Sequence, residues 1–298
     1  LTMAESSILN HAARILKLVQ AGTPADQALR ASLTQNRHFT APAERRGISR
    51  AVFTYYRWWR WLDENDSPQK QLAAALELQA RFDTNPAKIK PEALAAKAVP
   101  AWLRDEMDSL PTAWLAQLQR EPVLWIRAKA GTGILLAKKL GHCTRASQSP
   151  DALHYTGLTD LYRTPEFQAG EFEIQDLASQ LVGLAAAPQA GETWWDACAG
   201  EGGKTMHFSD LMRNKGLLWA SDRSLRRLGK LKERAARAKV FNFRAAQWEG
   251  GTKLPTKTKF DGILVDAPCT GIGTWQRNPH ARWTTAPKDV HELAAVQS

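Results

Sequence analysis

The sequence predicts an α/β fold in which an open parallel sheet occupies the C-terminal half and an all-helical region precedes it. The first observation is a short apolar run that ends at Asp196 and leads into three glycines within four residues. Residues Met206 to Met212 follow with apolar side chains at helical spacing, so the stretch is typical of a strand, a tight turn and a helix N-terminus. The second is an apolar run that ends in another acid, Asp222. The third is helical periodicity through much of residues 1–110.

Composition limits the class of protein. A chain of 298 residues allows one large domain or two ordinary ones. Its net charge of +10 fits either a polyanionic partner or a soluble protein that is merely basic. The three cysteines, Cys143, Cys198 and Cys269, lack the spacing of metal ligands or of a disulfide framework. Since no apolar run approaches the roughly 18 residues of a membrane span and the start lacks a signal-peptide pattern, we expect a cytoplasmic protein.

The N-terminal part predicts four helices, which cover residues 6–21, 25–33, 44–62 and 72–82. The third is dense in arginines and aromatic residues. Its arginines could meet RNA phosphates while its rings stack on unpaired bases. Alternatively, the apolar residues form the helix core and the arginines its solvated face. The arginines concerned are Arg45, Arg46, Arg50, Arg57 and Arg60, and the core candidates are Val52, Phe53, Tyr56 and Trp59.

The following elements alternate between strands and helices. Residues 85–110 indicate short helices joined by linkers. Residues 122–129 alternate like a strand, and helices are predicted over residues 134–140 and 173–187. After the glycine turn we expect a strand ending at Asp222, then a basic, solvated outer helix over residues 224–239. A third strand over residues 240–244 and a fourth over residues 260–265 complete the series, and the fourth leads into Asp266.

The glycine turn admits three classes of ligand. A Walker phosphate loop requires a first glycine where Cys198 stands, and the dinucleotide fingerprint requires a third glycine where Thr205 stands. S-adenosylmethionine (SAM) enzymes share the open sheet with looser glycine spacing. Asp222, at the end of the second strand, is placed to accept hydrogen bonds from ribose hydroxyls. A P-loop NTPase stays an alternative, because Lys204 and Thr205 follow a glycine and the fourth strand ends near Asp266.

Four motifs together resemble the RsmB/Nop/Sun family of SAM-dependent RNA cytosine-5 methyltransferases, especially its bacterial, RsmB-like members. These are residues 196–205, Asp222, the Asp-Ala-Pro-Cys of residues 266–269, and Arg277-Asn278-Pro279 with Trp283. Their order, their spacing and the Pro-Cys pair all match. The segment Glu173 to Gln180 also resembles the part of the family that precedes the SAM turn. The resemblance covers residues 115–298 well and the N-terminal part loosely.

The resemblance implies a domain organisation. Residues 1–110 correspond to a helical, NusB-like RNA-binding domain and a helical linker. Residues 111–298 correspond to an RsmB/Nop-type methyltransferase domain, with a small α/β substrate-binding piece at 121–150 and a Rossmann-like class I SAM methyltransferase part at 151–298. Such sheets have seven strands, so we expect an incomplete sheet and a sequence truncated at its C-terminus. The family nucleophile lies in a Thr-Cys motif, expected beyond Ser298, so these 298 residues alone should not methylate RNA.

The resemblance also assigns the site. It places SAM against the turn that comprises Cys198, Ala199, Gly200, Glu201, Gly202, Gly203 and Lys204. It places Asp222 on the ribose and Asp266 near the methyl group and the target base. Lys204 would line the base pocket, and Cys269 would assist product release, so the catalytic candidates are Cys269, Asp266 and Lys204.

Three positions depart from the family pattern. Glu201 stands where proline is usual, and Asn278 where histidine is usual. Ala245 follows the third strand where an acid commonly binds adenine, and Gln247 is a possible substitute.

The sequence therefore predicts a SAM-dependent methyltransferase that forms 5-methylcytosine in RNA. Ribosomal RNA is favoured over tRNA because of the NusB-like region, and we expect a monomer without metal or membrane. One alternative is an RNA-binding or assembly protein that retains a decayed methyltransferase fold. The other is the P-loop NTPase.

Overall fold

The computed structural model describes residues 3–35, 41–254 and 256–298. The chain forms two compact units. The helical unit comprises Leu1–Pro122 together with Cys269–Ser298, and the α/β unit comprises Val123–Pro268. The predicted domain boundary after residue 110 rests on the family resemblance and stays a prediction. By packing, residues 269–298 lie with the helical unit.

The helical unit begins with α1 (Met3–Gln20), α2 (Ala25–Gln35), α3 (Pro42–Trp58) and α4 (Pro68–Thr84). The predicted helical N-terminal region is thus confirmed, although α3 ends in a 3₁₀ turn, Trp59–Trp61. Proline starts α3 and α4 because its fixed φ suits the first helical turn. On α3, Val52 and Tyr56 are buried and Phe53 is half-buried, whereas Trp59, in the 3₁₀ turn that follows, is exposed. The apolar residues of this segment therefore divide between core and surface.

Three shorter helices complete the N-terminal part of this unit: α5 (Pro91–Lys97), α6 (Leu103–Glu106) and α7 (Thr112–Leu118). They form a separate apolar cluster around Leu94, Leu103 and Leu115. The predicted pattern of short helices and linkers matches this part of the structure.

The α/β unit opens with a small antiparallel sheet of order β2-β3-β1-β4. Its elements are β1 (Trp125–Ala128), α8 (Gly133–Leu140), β2 (Cys143–Ala146), β3 (Ser149–Tyr155), α9 (Pro165–Gln168) and β4 (Phe172–Ile174). The sheet continues past residue 150, where the small piece was predicted to end. Residues 172–174 are a strand rather than the start of a helix, because Phe172 is buried in the core of this sheet. Helix α10 (Leu177–Ala186) follows.

The second sheet is parallel, with the order β7-β6-β5-β8. Its elements are β5 (Thr193–Asp196), α11 (Gly203–Leu211), β6 (Leu217–Asp222), α12 (Leu225–Arg237), β7 (Phe243–Gln247) and β8 (Gly262–Leu264). Parallel strands joined by helices confirm the predicted Rossmann-like α/β fold. On β8, Ile263 is exposed, as is Val265 just after the strand.

The third strand of this sheet begins three residues later than predicted. Just after α12, the chain turns at Lys239, which has a left-handed φ of 56°. Val240 then packs beside Leu231 and Ala235 of α12, so it belongs to the turn and not to the strand. As a result Gln247 ends β7 and pairs in register with Asp222 at the end of β6.

The segment 269–298 carries α13 (Ala281–Thr284) and α14 (Pro287–Gln297). Arg282 is fully buried and donates to the carbonyl oxygens of Ala98 (2.7 Å) and Leu118 (2.9 Å). These carbonyls lie at the C-terminal ends of α5 and α7, where the helix dipole favours a cation. Burial nevertheless lowers the pKa of Arg282 to about 9, with a further contribution from Arg57. Arg282 thus anchors the C-terminal segment to the helical unit.

A buried carboxylate ties the two sheets of the α/β unit together. Glu173 on β4 accepts from Arg234 Nη2 at 2.9 Å and pairs with Arg237, both on α12. Arg237 also lies over the Phe167 ring, 3.8 Å from its centroid. The predicted solvated face of α12 is therefore wrong for these two arginines, because Glu173 and Phe167 cover them.

The Glu173 interaction gives a stability prediction. Glu173→Gln should lower the free energy of unfolding by about 3 kcal/mol, because it leaves two partly buried guanidinium groups without their anion. The measurement is urea unfolding followed by circular dichroism. Glu171→Gln is the matched control, since its partner Lys139 lies 2.8 Å away in an ion pair with both side chains more than a third exposed. The control variant should lower the free energy of unfolding by less than about 1 kcal/mol. Equal losses for both variants would contradict the role of Glu173.

Candidate functional site

The glycine turn between β5 and α11 is fixed to both neighbouring strands. Ala197 N donates to Leu264 O of β8 at 2.9 Å, and Ala199 N donates to Ser221 O of β6 at 2.8 Å. The carboxyl ends of three adjacent parallel strands are thereby joined by the turn. In open α/β sheets this is the edge at which ligands bind.

Two glycines of the turn have left-handed φ values, 56° at Gly200 and 82° at Gly202. A Cβ at Gly202 would lie 2.6 Å from Leu231 Cγ on α12, so this glycine allows the helix to pack closely. A Cβ at Gly200 would meet nothing within 4 Å. Gly200 therefore borders open space, where a ligand can approach the backbone.

Asp222 is buried and holds the turn against β6. One carboxylate oxygen accepts from Gly200 N at 3.0 Å, and the other accepts from Ser224 N at 2.8 Å. Each oxygen of an ionised carboxylate can accept a second hydrogen bond. The structure thus shows that Asp222 positions the turn. Its carboxylate can still accept the hydrogen bonds from ribose hydroxyls that the sequence predicts.

Asp196, at the end of β5, is an acid to which the sequence assigned no role. It is 1% exposed and accepts from Thr205 Oγ1 at 2.6 Å through one oxygen. Its other oxygen has no hydrogen-bond partner among the described residues. Burial raises the pKa of Asp196 to about 6, partly offset by Thr205 and Lys204. The available signal was its place at the strand end directly before the turn.

Lys204 and Asp266 form an ion pair, with Nζ and Oδ2 2.5 Å apart. Lys204 lies in the first turn of α11 and is 15% exposed at its side chain, whereas Asp266 follows β8 and is 56% exposed. Two of the three predicted catalytic residues are therefore in direct contact. The third, Cys269, is exposed and belongs to the helical unit.

The remaining cofactor candidates differ in what their side chains can do. Burial raises the pKa of Cys198, and Asp196, Asp222 and Asp266 raise it further, so its thiol stays protonated at neutral pH. Only the backbone of Cys198 is then suited to a ligand. Glu201 has an exposed side chain, and its carbonyl accepts from Arg234 Nη1 at 2.9 Å. This hydrogen bond fixes the turn at the position where the family usually has proline.

Gln247 lies beside Asp222 at the end of the sheet. Its side chain is exposed and its Nε2 donates to Arg223 O at 3.0 Å. Ala245 lies two residues earlier and is half-buried within β7. The predicted substitute for the missing acid is therefore at the ligand edge, while Ala245 is not.

Across residues 3–35, 41–254 and 256–298, no cluster of three or more His, Cys, Asp or Glu side chains could hold a metal ion. Within the same ranges, no helix combines the length and the apolar character that crossing a membrane requires.

A parallel sheet, a glycine turn at its carboxyl edge and acids at the ends of three strands place the α/β unit in the class of Rossmann-like folds, which includes methyltransferases. Residues 183–298 match the family model described as 16S rRNA methyltransferase RsmB/F. This part of the chain is therefore similar to the RsmB/Nop/Sun family. The similarity does not favour the P-loop NTPase alternative.

Two proteins of similar sequence are named as ribosomal RNA methyltransferases. The probable ribosomal RNA small subunit methyltransferase B of Bacillus subtilis is 40% identical over 133 residues, which are 44% of this chain and 30% of the relative. The 28S rRNA (cytosine-C(5))-methyltransferase of Mus musculus is 32% identical over 143 residues, 48% of this chain and 18% of the relative. The chain thus spans less than half the length of these relatives.

A solved structure supports the fold. The protein named PH0851 superposes with a TM-score of 0.73 and 20% sequence identity, over 100% of this chain and 82% of that one. At this identity the likeness shows the fold alone.

The buried Asp196 gives a prediction on pH dependence. Its pKa of about 6 in the folded chain exceeds the ordinary 3.8, so folding retains a proton that the unfolded chain releases. This contribution to stability is fully present below about pH 4 and is lost as the pH rises through about 6, for a total of about 3 kcal/mol. The free energy of unfolding is measured in urea at pH 4.5 and at pH 7. It should be lower at pH 7 than at pH 4.5 in the wild type, and this decrease should be smaller in Asp196→Asn.

Asp160→Asn is the matched control for this experiment, because Asp160 is exposed on the same unit. Its difference between the two pH values should equal that of the wild type. If Asp196→Asn also keeps the wild-type difference, then Asp196 is ionised in the folded chain at both pH values.

Proposed function

We propose that the protein that contains this chain is a SAM-dependent methyltransferase that forms 5-methylcytosine in RNA. The observation that carries the proposal is the Lys204–Asp266 pair beside the glycine turn, at the carboxyl edge of the parallel sheet. The match of residues 183–298 to the family model and the relatives' names support it. Since the chain spans only part of those relatives, the activity of the whole protein is our inference.

The residues present fit SAM. Gly200 borders open space, and the backbone of residues 198–204 leads into the N-terminus of α11, where N–H groups favour an electron-rich ligand. Asp222 would hold the ribose hydroxyls, because its two carboxylate oxygens can accept hydrogen bonds beyond those from Gly200 N and Ser224 N. Gln247, level with Asp222, would donate to or accept from the adenine. Bound SAM supplies an electrophilic methyl group.

The target base imposes further requirements. Carbon 5 of cytosine is a poor nucleophile until a thiolate adds to carbon 6. The base must also be unstacked to be reached. Asp266 is suited to accept a hydrogen bond from the cytosine amino group, since carboxylates are the usual acceptors for that group. Lys204 pairs with the Asp266 carboxylate and fixes its orientation.

The cysteines divide by their surroundings. Burial raises the pKa of both Cys143 and Cys198, which makes them poor sources of thiolate. Cys269 is exposed and follows Asp266 by three residues. We assign Cys269 to product release, where the proton leaves carbon 5 and the bond between carbon 6 and sulfur breaks. The attacking thiolate would come from the Thr-Cys motif of the family.

The finer assignments are also proposals. Ribosomal RNA is favoured as the substrate because the relatives' names specify it. The net charge of +10 fits a nucleic-acid substrate. We propose that the protein acts in the cytoplasm as a monomer and needs no metal.

Asp222→Ala tests the cofactor assignment. Loss of charge-assisted hydrogen bonds, each worth roughly 1.5–3 kcal/mol, should weaken SAM binding at least about tenfold in calorimetry. Asp160→Ala is the control and should bind SAM as the wild type does. Circular dichroism checks that both variants are folded. Unchanged SAM affinity in folded Asp222→Ala would remove Asp222 from the site.

Cys269→Ala tests the release role, in an active protein that carries this chain. The variant should attack cytosine and transfer methyl, yet accumulate as a protein–RNA adduct on denaturing gels, because elimination lacks its helper. Cys143→Ala is the control and should release product normally, because Cys143 lies on β2, away from the glycine turn. If Cys269→Ala forms no adduct and no product while SAM binding persists, Cys269 is instead the nucleophile.

A further inference from the structure

A pocket of about 480 Å³ lies in the helical unit, on one face of α3. The lining side chains that matter are four arginines, one acid and one ring: Arg46, Arg50, Arg57, Arg277, Glu121 and Phe53. The arginines come from α3 and from the segment after residue 269, so the pocket forms only when that segment is packed in the unit. Four cations against one anion make its lining strongly positive.

Arg57 is the buried part of this lining. It is 2% exposed and forms no ion pair among the described residues. Its nearest acceptors, Thr54 Oγ1, Gln79 Oε1 and Gln276 O, are each 3.4 Å away, at the outer limit of a hydrogen bond. Its Nε has no hydrogen-bond partner within the described ranges. Such a weakly satisfied, buried guanidinium is costly unless a ligand completes its interactions.

Arg57 keeps its charge at neutral pH. Burial lowers its pKa to about 10, and the carboxylates of Glu121 and Asp83 partly offset that shift. Glu121 is the single acid of the lining and contacts Arg50, with Oε1 and Nε 2.5 Å apart. Both of these side chains are about half-exposed. An incoming anion could therefore take the place of Glu121 beside Arg50 without any change in the core.

We propose that this pocket binds one nucleotide of the RNA substrate. The arginines hold its phosphate, and the half-buried Phe53 ring packs against its base. The volume is within the range of small-ligand sites, and guanidinium groups with an aromatic ring are the usual means of holding single-stranded RNA. The inference rests on the proposed function, since it takes RNA as the substrate.

The experiment compares two neighbouring arginines of α3 in the 298-residue chain. Arg45 and Arg46 are both exposed, but only Arg46 lines the pocket. Binding of a fluorescent 12-nucleotide single-stranded RNA is followed by anisotropy at several salt concentrations. Arg46→Gln should weaken binding about three- to tenfold and reduce the salt slope by about 0.7, the value of one phosphate contact on a single strand. Arg45→Gln should change affinity less than about twofold.

Two further variants test the acid and the ring. Glu121→Gln should tighten RNA binding about threefold, because it removes the anion that competes with phosphate. Phe53→Leu should weaken RNA binding about fivefold or more. The same variant should leave unchanged the dissociation constant of inorganic tripolyphosphate, obtained from its competition with the RNA, since that competitor has no base.

Four results would overturn the pocket: equal losses for Arg45→Gln and Arg46→Gln, weaker binding by Glu121→Gln, no RNA binding by the wild type, or cytidine monophosphate binding as tightly as the 12-mer. The last would identify a site for free nucleotides. Calorimetry with SAM on the same samples is independent of all four. Retained SAM binding would show that the pocket proposal failed and the methyltransferase proposal did not.

Discussion

The α/β unit depends on one buried carboxylate, Glu173. Through Arg234 and Arg237 it holds α12 against the small antiparallel sheet, and Arg234 also donates to the Glu201 carbonyl within the glycine turn. The small sheet, the outer helix and the ligand edge are therefore one connected system. Because the charges are largely shielded from water, the connection is stronger than a surface ion pair and costly to break.

The glycine turn collects groups from strands that are distant in sequence. Asp222 comes from β6, Asp266 follows β8, and Lys204 starts α11. Parallel strands bring their carboxyl ends to one edge, so a sequence with an acid after each strand concentrates negative charge there. Lys204 balances part of this charge by pairing with Asp266, and burial raises the pKa of Asp196 to about 6.

The parts of this arrangement that depend on local spacing were predictable from the sequence. The turn and the strand-end acids follow from motif and periodicity, and the family resemblance placed Lys204 and Asp266 in the site. Their direct contact was not predicted. The third strand was misplaced because Val240 and Phe243 are both apolar, and only tertiary packing shows that Val240 belongs to the core beside α12. The Glu173 interaction spans 61 residues to Arg234, so no local pattern indicates it. The same is true of Arg277, which joins the α3 pocket from the far end of the chain.

The two hydrogen bonds that Asp222 already accepts bear on how a cofactor would bind. Gly200 and Ser224 are held in place by its carboxylate before any ligand arrives. Ordering a mobile loop on binding consumes conformational entropy, and a preformed loop avoids that loss. Affinity at this edge of the sheet would then reflect the ligand's own contacts. Loss of Asp222 would add the entropic cost of a loosened turn to the loss of its ribose contact.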